Sequence, residues 1–263
     1  MTVIELLAEW GVDVDVICPE EELLDLRDVR VDHDLYVLKS GSEMALSLAA
    51  TLDALGATTL NPYRVTVQCR DRVVANRILQ AAGVPVPETY VAVDVSRLAE
   101  LVEEGPLVVK PYRRTSGGGV QVVWDADELQ DLGTSGHPVV AQRYHGPRGR
   151  DRKIYCLGDQ LFGVKRVWPA RTPDEKLGEP FTVTPELREI ALRCRHALGI
   201  ELFGLDLIVS EGQPYVVDVD PFPGFKGVPD AALRLADYIY AACHPAVPPL
   251  VGVPDGTALG FGR

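Results

Sequence analysis

Apolar and polar positions along this chain follow two periods, and the switches between them mark out its elements. "TVIELLAEWG" spaces its apolar residues as a helix does and stops at Gly11. "VDVDVIC" alternates with the period of a strand, and "HDLYVLKS" predicts a second strand ending at Lys39. "SEMALSLAATLDALG" returns to helical spacing, and "ATTLNP" predicts a short strand turned by Asn61-Pro62. Together these make a small βα layer of parallel-sheet type. "TVQCRDRVVANRILQAAG" predicts one helix closed by Gly83, "VPVPETYVAV" runs extended, and "SRLAELVEEG" predicts a helix ending at Gly105.

Hairpins then take over. "LVVKPYRRTSGGGVQVV" is two short apolar runs around a long loop from Pro111 to Gly119, and "HPVVAQRYH" predicts a further strand. "DRKIYCLGDQLFGVKRVW" reads as two strands turning at Gly158-Asp159. "TPELREIALRCRHALG" predicts a helix with Thr184 as its N-cap and a proline in its first turn. "FGLDLIVSEGQPYVVDVDPFPG" predicts a hairpin turning at Glu211-Gly212, and "GVPDAALRLADYIYAAC" a closing helix. The expected organisation is an α/β domain over residues 1–67 and two α+β subdomains over 68–143 and 144–248. An irregular Pro/Gly-rich tail over 249–263 follows.

Composition narrows the function classes. A net charge of −12 over 263 residues argues against a nucleic-acid surface or an acidic-membrane binder, though not against a local basic pocket. No apolar run approaches the roughly 20 residues of a membrane span, and "MTVIELLAEWG" has no basic region of a signal peptide. Five scattered cysteines have no metal or redox spacing and read as small buried residues in a reducing cytoplasm.

Three places carry candidate chemistry. Lys110 stands at the tip of a strand, ahead of Gly117, Gly118 and Gly119, whose amides can approach an anion closely. Lysine before the glycines and a strand after them fit neither a P-loop nor a dinucleotide fingerprint, so a surface hairpin and a phosphate loop are equally open here. Asp206, Asp218 and Asp220 fall on one side of the last hairpin, where three carboxylates repel each other unless cations join them. Hard oxygen donors of this kind suit Mg²⁺ bridging to phosphates, and a solvated sheet edge is the alternative. Lys153, Lys165 and Arg166 are basic residues near strand ends. Gln142, Arg143 and Tyr144 end a strand at the domain junction, a common place for a ligand pocket.

In order, "RDRVVANRILQAAGVPVPETYV", "LVVKPYRRTSGGGVQVV", "VVAQRYH", "DRKIYCLGDQLFGVKR", "LFGLDLIV" and "YVVDVDPFPG" resemble the ATP-grasp superfamily over about residues 30–240. The resemblance implies an ATP-grasp fold, in which two α+β subdomains clamp ATP. It implies that Arg72, Lys110 and the loop Ser116, Gly117, Gly118 and Gly119 contact the phosphates. Gln142, Arg143 and Tyr144 would meet the adenine, and Asp151 the ribose or a nearby polar group. Asp206, Asp218 and Asp220 would hold two Mg²⁺ ions. Lys165 and Arg166 would act as catalytic cations, and Lys39, Arg152, Lys153 and Gly224 would lie on the substrate side.

Two branches share these features. The "SGGGV" loop resembles carboxylate–amine ligases, including those that add glutamate to ribosomal proteins. Such ligases usually carry Glu and Asn where this chain has Asp218 and Asp220. "DVDPFPGFKGVPDA" and Lys39 resemble ATP-grasp inositol polyphosphate kinases, whose loop is not a glycine triplet. The expectation is an ADP-forming ligase acting through an acyl phosphate on a small molecule or peptide. A polyol kinase and a non-catalytic ATP-binding module are the alternatives. Neither nucleic acid nor membrane is an expected partner, and a homodimer is common for this architecture.

Overall fold

A computed structural model describes residues 1–113, 119–132, 137–146, 150–167 and 172–244. The chain opens with α1 (Val3–Glu9), whose capping box joins Thr2 and Glu5. β1 (Tyr36–Val37), α2 (Glu43–Ala54) and β2 (Thr59–Leu60) follow, and β1 pairs with β2 in parallel. The strand expected at 12–18 does not form. Val12 and Val14 turn inward against the core, while Val16 and Ile17 stay exposed. Alternation alone makes no strand without a neighbouring ladder to pair with.

The single helix expected across residues 66–83 is two, α3 (Tyr63–Arg70) and α4 (Arg72–Ala81). Asp71 breaks it. Its carboxylate accepts from Val73 N and Val74 N at 3.0 and 3.1 Å, an N-cap in mid-pattern.

The middle of the chain is a four-stranded antiparallel sheet. It contains β3 (Thr89–Ala92), β4 (Leu107–Pro111), β5 (Gln121–Val123) and β6 (Val139–Arg143), in the order β3-β6-β4-β5. Helices α5 (Ala99–Glu104) and α6 (Ala126–Asp131) cover one face. Leu107, Val109, Val123 and Ala141 pack there against Leu98, Val102 and Leu129. The other face carries polar side chains, Lys110 and Gln142 among them.

The second sheet has five strands in the order β11-β10-β7-β8-β9. Its elements are β7 (Asp151–Leu157), β8 (Gln160–Arg166), α7 (Pro173–Leu177), β9 (Glu179–Phe181), α8 (Pro185–Leu198), β10 (Leu202–Ser210), β11 (Gln213–Asp220) and α9 (Ala231–Cys243). On one face Ile154, Cys156, Phe203, Leu205 and Leu207 meet Leu187, Ile190 and Cys194 of α8, together with Cys69 and Leu79 of α3 and α4. On the other, Tyr155, Leu157 and Leu202 meet Ala236 and Ile239 of α9, with Leu7 and Leu60. Each fully buried large apolar side chain contributes about 1.5–3 kcal/mol. The expected boundary at residue 67 therefore falls inside α3, and the helix pair shares its core with the five-stranded sheet. Cys69, Cys156 and Cys194 are buried as expected, whereas Cys18 is exposed.

Candidate active site

Lys110 and Gln142 share a face because β4 and β6 are antiparallel, with Lys110 opposite Val140 and Gln142 opposite Val108. Lys110 is only 6% exposed. A buried ammonium needs partners to stay charged. Its Nζ donates to Gln142 Oε1 at 2.7 Å and to Val217 O at 2.9 Å, reaching from the first sheet to the second. Gln142 is fixed in turn by Nε2 donating to Thr89 Oγ1 at 3.2 Å.

Arg72, at the start of α4, also spans the two sheets. Its Nη1 donates to Pro111 O at 2.6 Å and Arg113 O at 3.3 Å, and Nη2 to Asp218 Oδ2 at 3.2 Å. It grips the chain just before the glycine stretch. Ser116, Gly117 and Gly118 lie outside the described residues. Gly119 has φ +88°, and a Cβ there would sit 2.9 Å from Pro111 Cγ, so glycine is required. Arg72, Asn76, Lys110, Gln142, Val216 and Asp218 help line a cavity of about 20 Å³ between the sheets, room for about one water molecule.

The acidic face is built by the last hairpin. Asp206 stands opposite Asp218 in register, and a bulge follows between Asp206 and Leu207. The extra residue, Val217, lets Val216 and Val219 both reach the core while Asp218 and Asp220 share the other side with Asp206. Lys153, opposite Asp206 on β7, donates to Asp206 Oδ2 at 2.9 Å. Arg166 Nη2 donates to Asp206 Oδ1 at 3.0 Å. Asp151 lies on the same face, opposite Arg166. Burial pushes its carboxyl up to about 6, repulsion from Asp206 adds to this, and Arg166 and Arg152 oppose it.

Strand alternation divides residues expected to act together. Lys165 points to the face opposite Arg166, with its Nζ 5.7 Å from the Phe181 ring centre, and does not join the acidic cluster. Arg152 is its register partner and also lies off the acidic face, donating to Arg150 O at 3.4 Å. Arg143 turns its side chain to the helix-covered face, where it donates to Leu101 O at 2.5 Å and pairs with Glu104. Only its backbone stays at the junction. Tyr144 N donates to Pro106 O at 3.0 Å, and the ring meets Trp124 edge-on at 5.3 Å.

Lys39 reaches the loop after β11, where Nζ donates to Phe222 O at 2.9 Å. Burial pushes its pKa down; Asp220 opposes that and Lys226 reinforces it. Gly224 is exposed on the same loop. Two supports of the site carry no chemical motif in the sequence. Asn61, read only as a turn, is buried and donates through Nδ2 to Leu202 O at 2.7 Å and to Pro221 O. Gly204 gives Lys153 its place: a Cβ there would be 2.8 Å from Lys153 Cε. Its signal was a glycine two residues before Asp206 inside an apolar strand.

The donor chemistry of Asp206, Asp218 and Asp220 fits a hard divalent cation. Among the described residues no three acidic, histidine or cysteine side chains converge on one point as a metal cage would. Asp206 and Asp218 are turned instead to Lys153, Arg166 and Arg72.

Residues 69–241 match the profile of the RimK-like ATP-grasp domain. The chain is 25% identical over 235 residues to the alpha-aminoadipate–LysW ligase LysX of Saccharolobus solfataricus, covering 82% of this chain and 86% of that one. It is 25% identical over 228 residues to the ribosomal protein bS6–L-glutamate ligase of Salmonella paratyphi B, covering 80% and 76%. Among solved structures, a RimK domain ATP-grasp protein from Sphaerobacter thermophilus superposes with a TM-score of 0.72 at 23% identity, covering 90% and 92%. The D-alanine–D-alanine ligase of Bacillus anthracis superposes at 0.67 and 22%, covering 81% of each chain. Both structural likenesses establish the ATP-grasp fold.

Proposed function

This chain belongs to the RimK-like ATP-grasp family, and on that premise we propose that it is an ATP- and Mg²⁺-dependent ligase that joins a carboxylate to an amine. The observation that carries the reading is the meeting of two cations with one strand across two sheets, Lys110 at Val217 O and Arg72 at Asp218. Phosphate-binding cations and metal-type carboxylates face one cleft.

In this reading Lys110, Arg72 and the loop ending at Gly119 bind the phosphates, while Gln142 and the backbone at Arg143 and Tyr144 take the adenine. Asp151 lies towards the ribose. Asp206, Asp218 and Asp220 would hold Mg²⁺, which when bound neutralises phosphate charge. Arg166 and Lys153 face the transferring phosphoryl group, and Lys39 and the loop at Gly224 border the acid. Lys165 and Arg152 take no direct part.

A carboxylate oxygen attacks the γ-phosphorus, the bond to the β–γ bridging oxygen breaks, and ADP leaves. The amine nitrogen then attacks the acyl carbon. The bond from that carbon to the phosphate oxygen breaks, phosphate leaves, and the amine gives up a proton. Residues here hold and neutralise rather than react, so positioning supplies most of the rate. The acid or amine is a small molecule or a peptide. Free thiols and the use of ATP fit a cytoplasmic setting. No helix among the described residues is long and apolar enough to cross a membrane.

ADP release with pooled amino acids and small carboxylates tests this. ADP and free phosphate are expected only when both an acid and an amine are present. A phosphate ester formed from inositols, with no amine requirement, would contradict it.

A further inference from the structure

The carboxylates assigned above to the metal are already engaged. Asp206 uses both oxygens, with Lys153 Nζ 2.9 Å from Oδ2 and Arg166 Nη2 3.0 Å from Oδ1. Asp218 Oδ2 lies 3.2 Å from Arg72 Nη2, and Asp220 Oδ2 lies 4.0 Å from the same Lys153 ammonium. Lys153 is the pivot of this set. Its side chain is 5% exposed and is shelved against Gly204, where a Cβ would lie 3.2 Å from Nζ. A lysine so far from water is held in place by the carboxylates it faces. It cannot swing into solvent as a surface lysine does.

A divalent cation approaching alone would have to break these pairs, and would then share the same carboxylates with a buried ammonium and two guanidiniums, with no further anion to offset the repulsion. A polyphosphate changes that balance. Its oxygens offer Lys153, Arg166 and Arg72 new partners, and charge-assisted bonds to phosphate are as strong as those to carboxylate. The cations would then pair with the phosphates, leaving Asp206, Asp218 and Asp220 to hold the metal.

We propose that Lys153, with Arg166 and Arg72, forms a set of internal counter-ions that closes the acidic face to free divalent cation. Metal then enters only together with the nucleotide's polyphosphate. Lys153 is on this account a positioning residue: it keeps Asp206 and Asp220 aligned and yields them when phosphate arrives. The proposal rests on the reading of Asp206, Asp218 and Asp220 as metal ligands.

Mn²⁺ binding to the full chain, followed by water-proton relaxation, tests it without turnover. Wild-type protein should bind Mn²⁺ weakly alone and at least about tenfold more tightly with tripolyphosphate present. K153M should bind Mn²⁺ alone about tenfold more tightly than wild type. A merely structural lesion would weaken binding, not strengthen it. Equal wild-type affinity with and without tripolyphosphate would overturn the proposal, and the wild-type arms decide this even if K153M does not fold. A soluble K153M with unchanged affinity would also overturn it. A K153M/D218N double variant separates the two levels. If it keeps the K153M affinity, or if no wild-type arm binds Mn²⁺, the metal assignment itself falls and the proposal falls with it.

Discussion

Lys110 is only 6% exposed, and Gln142 Oε1 and Val217 O hold its Nζ at 2.7 and 2.9 Å. Sequence reading found such residues by type and by strand-end position, and here period two was the informative signal. It separates neighbours that a motif lumps together. Arg166 reaches Asp206 while Lys165 lies over Phe181, and Gln142 reaches Lys110 while Arg143 anchors to Leu101 O. The missing information was which strand face looks into the cleft, and that depends on the partner sheet. Asp151 offers a test at this scale. Its carboxyl is raised from 3.8 to about 6. The folded state therefore holds a proton that the unfolded state has released between those values, and stability from this group falls as pH rises through the window. The melting temperature of wild type relative to D151N should decline from about pH 4 to pH 6.5 and then level off. A difference that stays flat across that range would contradict the assignment.

Elements were legible where periodicity ran unbroken and a cap marked the end. Thr184 caps α8 through Leu187 N at 3.3 Å, as the sequence predicts. The missed break at Asp71 arose because one aspartate inside a helical pattern looks like a surface residue. Its capping role appears only when Arg72 N meets Tyr112 O at 2.9 Å from another element. The bulge at Val217 was equally hidden, although the Val216/Val219 spacing leaves a trace of it. Gly204 in β10 gives the prediction at this scale. A Cβ there would press within 2.8 Å of Lys153 Cε and 3.2 Å of Pro223 Cβ. Gly204→Ala should therefore cost about 1–3 kcal/mol of stability, the usual range for overpacking, read as a lower denaturation midpoint. A variant as stable as wild type would show that Lys153 does not occupy this shelf.

At the scale of the whole molecule, the chain closes on itself more than its linear order suggests. Asn61 ties the N-terminal segment to Leu202 O and Pro221 O, and α1 packs on α9 at the far end of the chain. Arg72 and Lys110 bind the two sheets across the cleft through Asp218 and Val217 O. Shared cores of this kind cannot be read from local pattern, because apolar helix faces do not name the sheet they cover. The order of motifs carried the fold nonetheless, through its resemblance to the ATP-grasp superfamily. The chemistry proposed for the whole molecule is ligation through an acyl phosphate. Its most direct measurement is the fate of oxygen: the protein, Mg-ATP, an amine pool and ¹⁸O-labelled carboxylates, with the released phosphate followed by ³¹P NMR. Transfer of one ¹⁸O from the acid into inorganic phosphate is the predicted result. Phosphate released without label, in a reaction that still consumes ATP and both substrates, would contradict it.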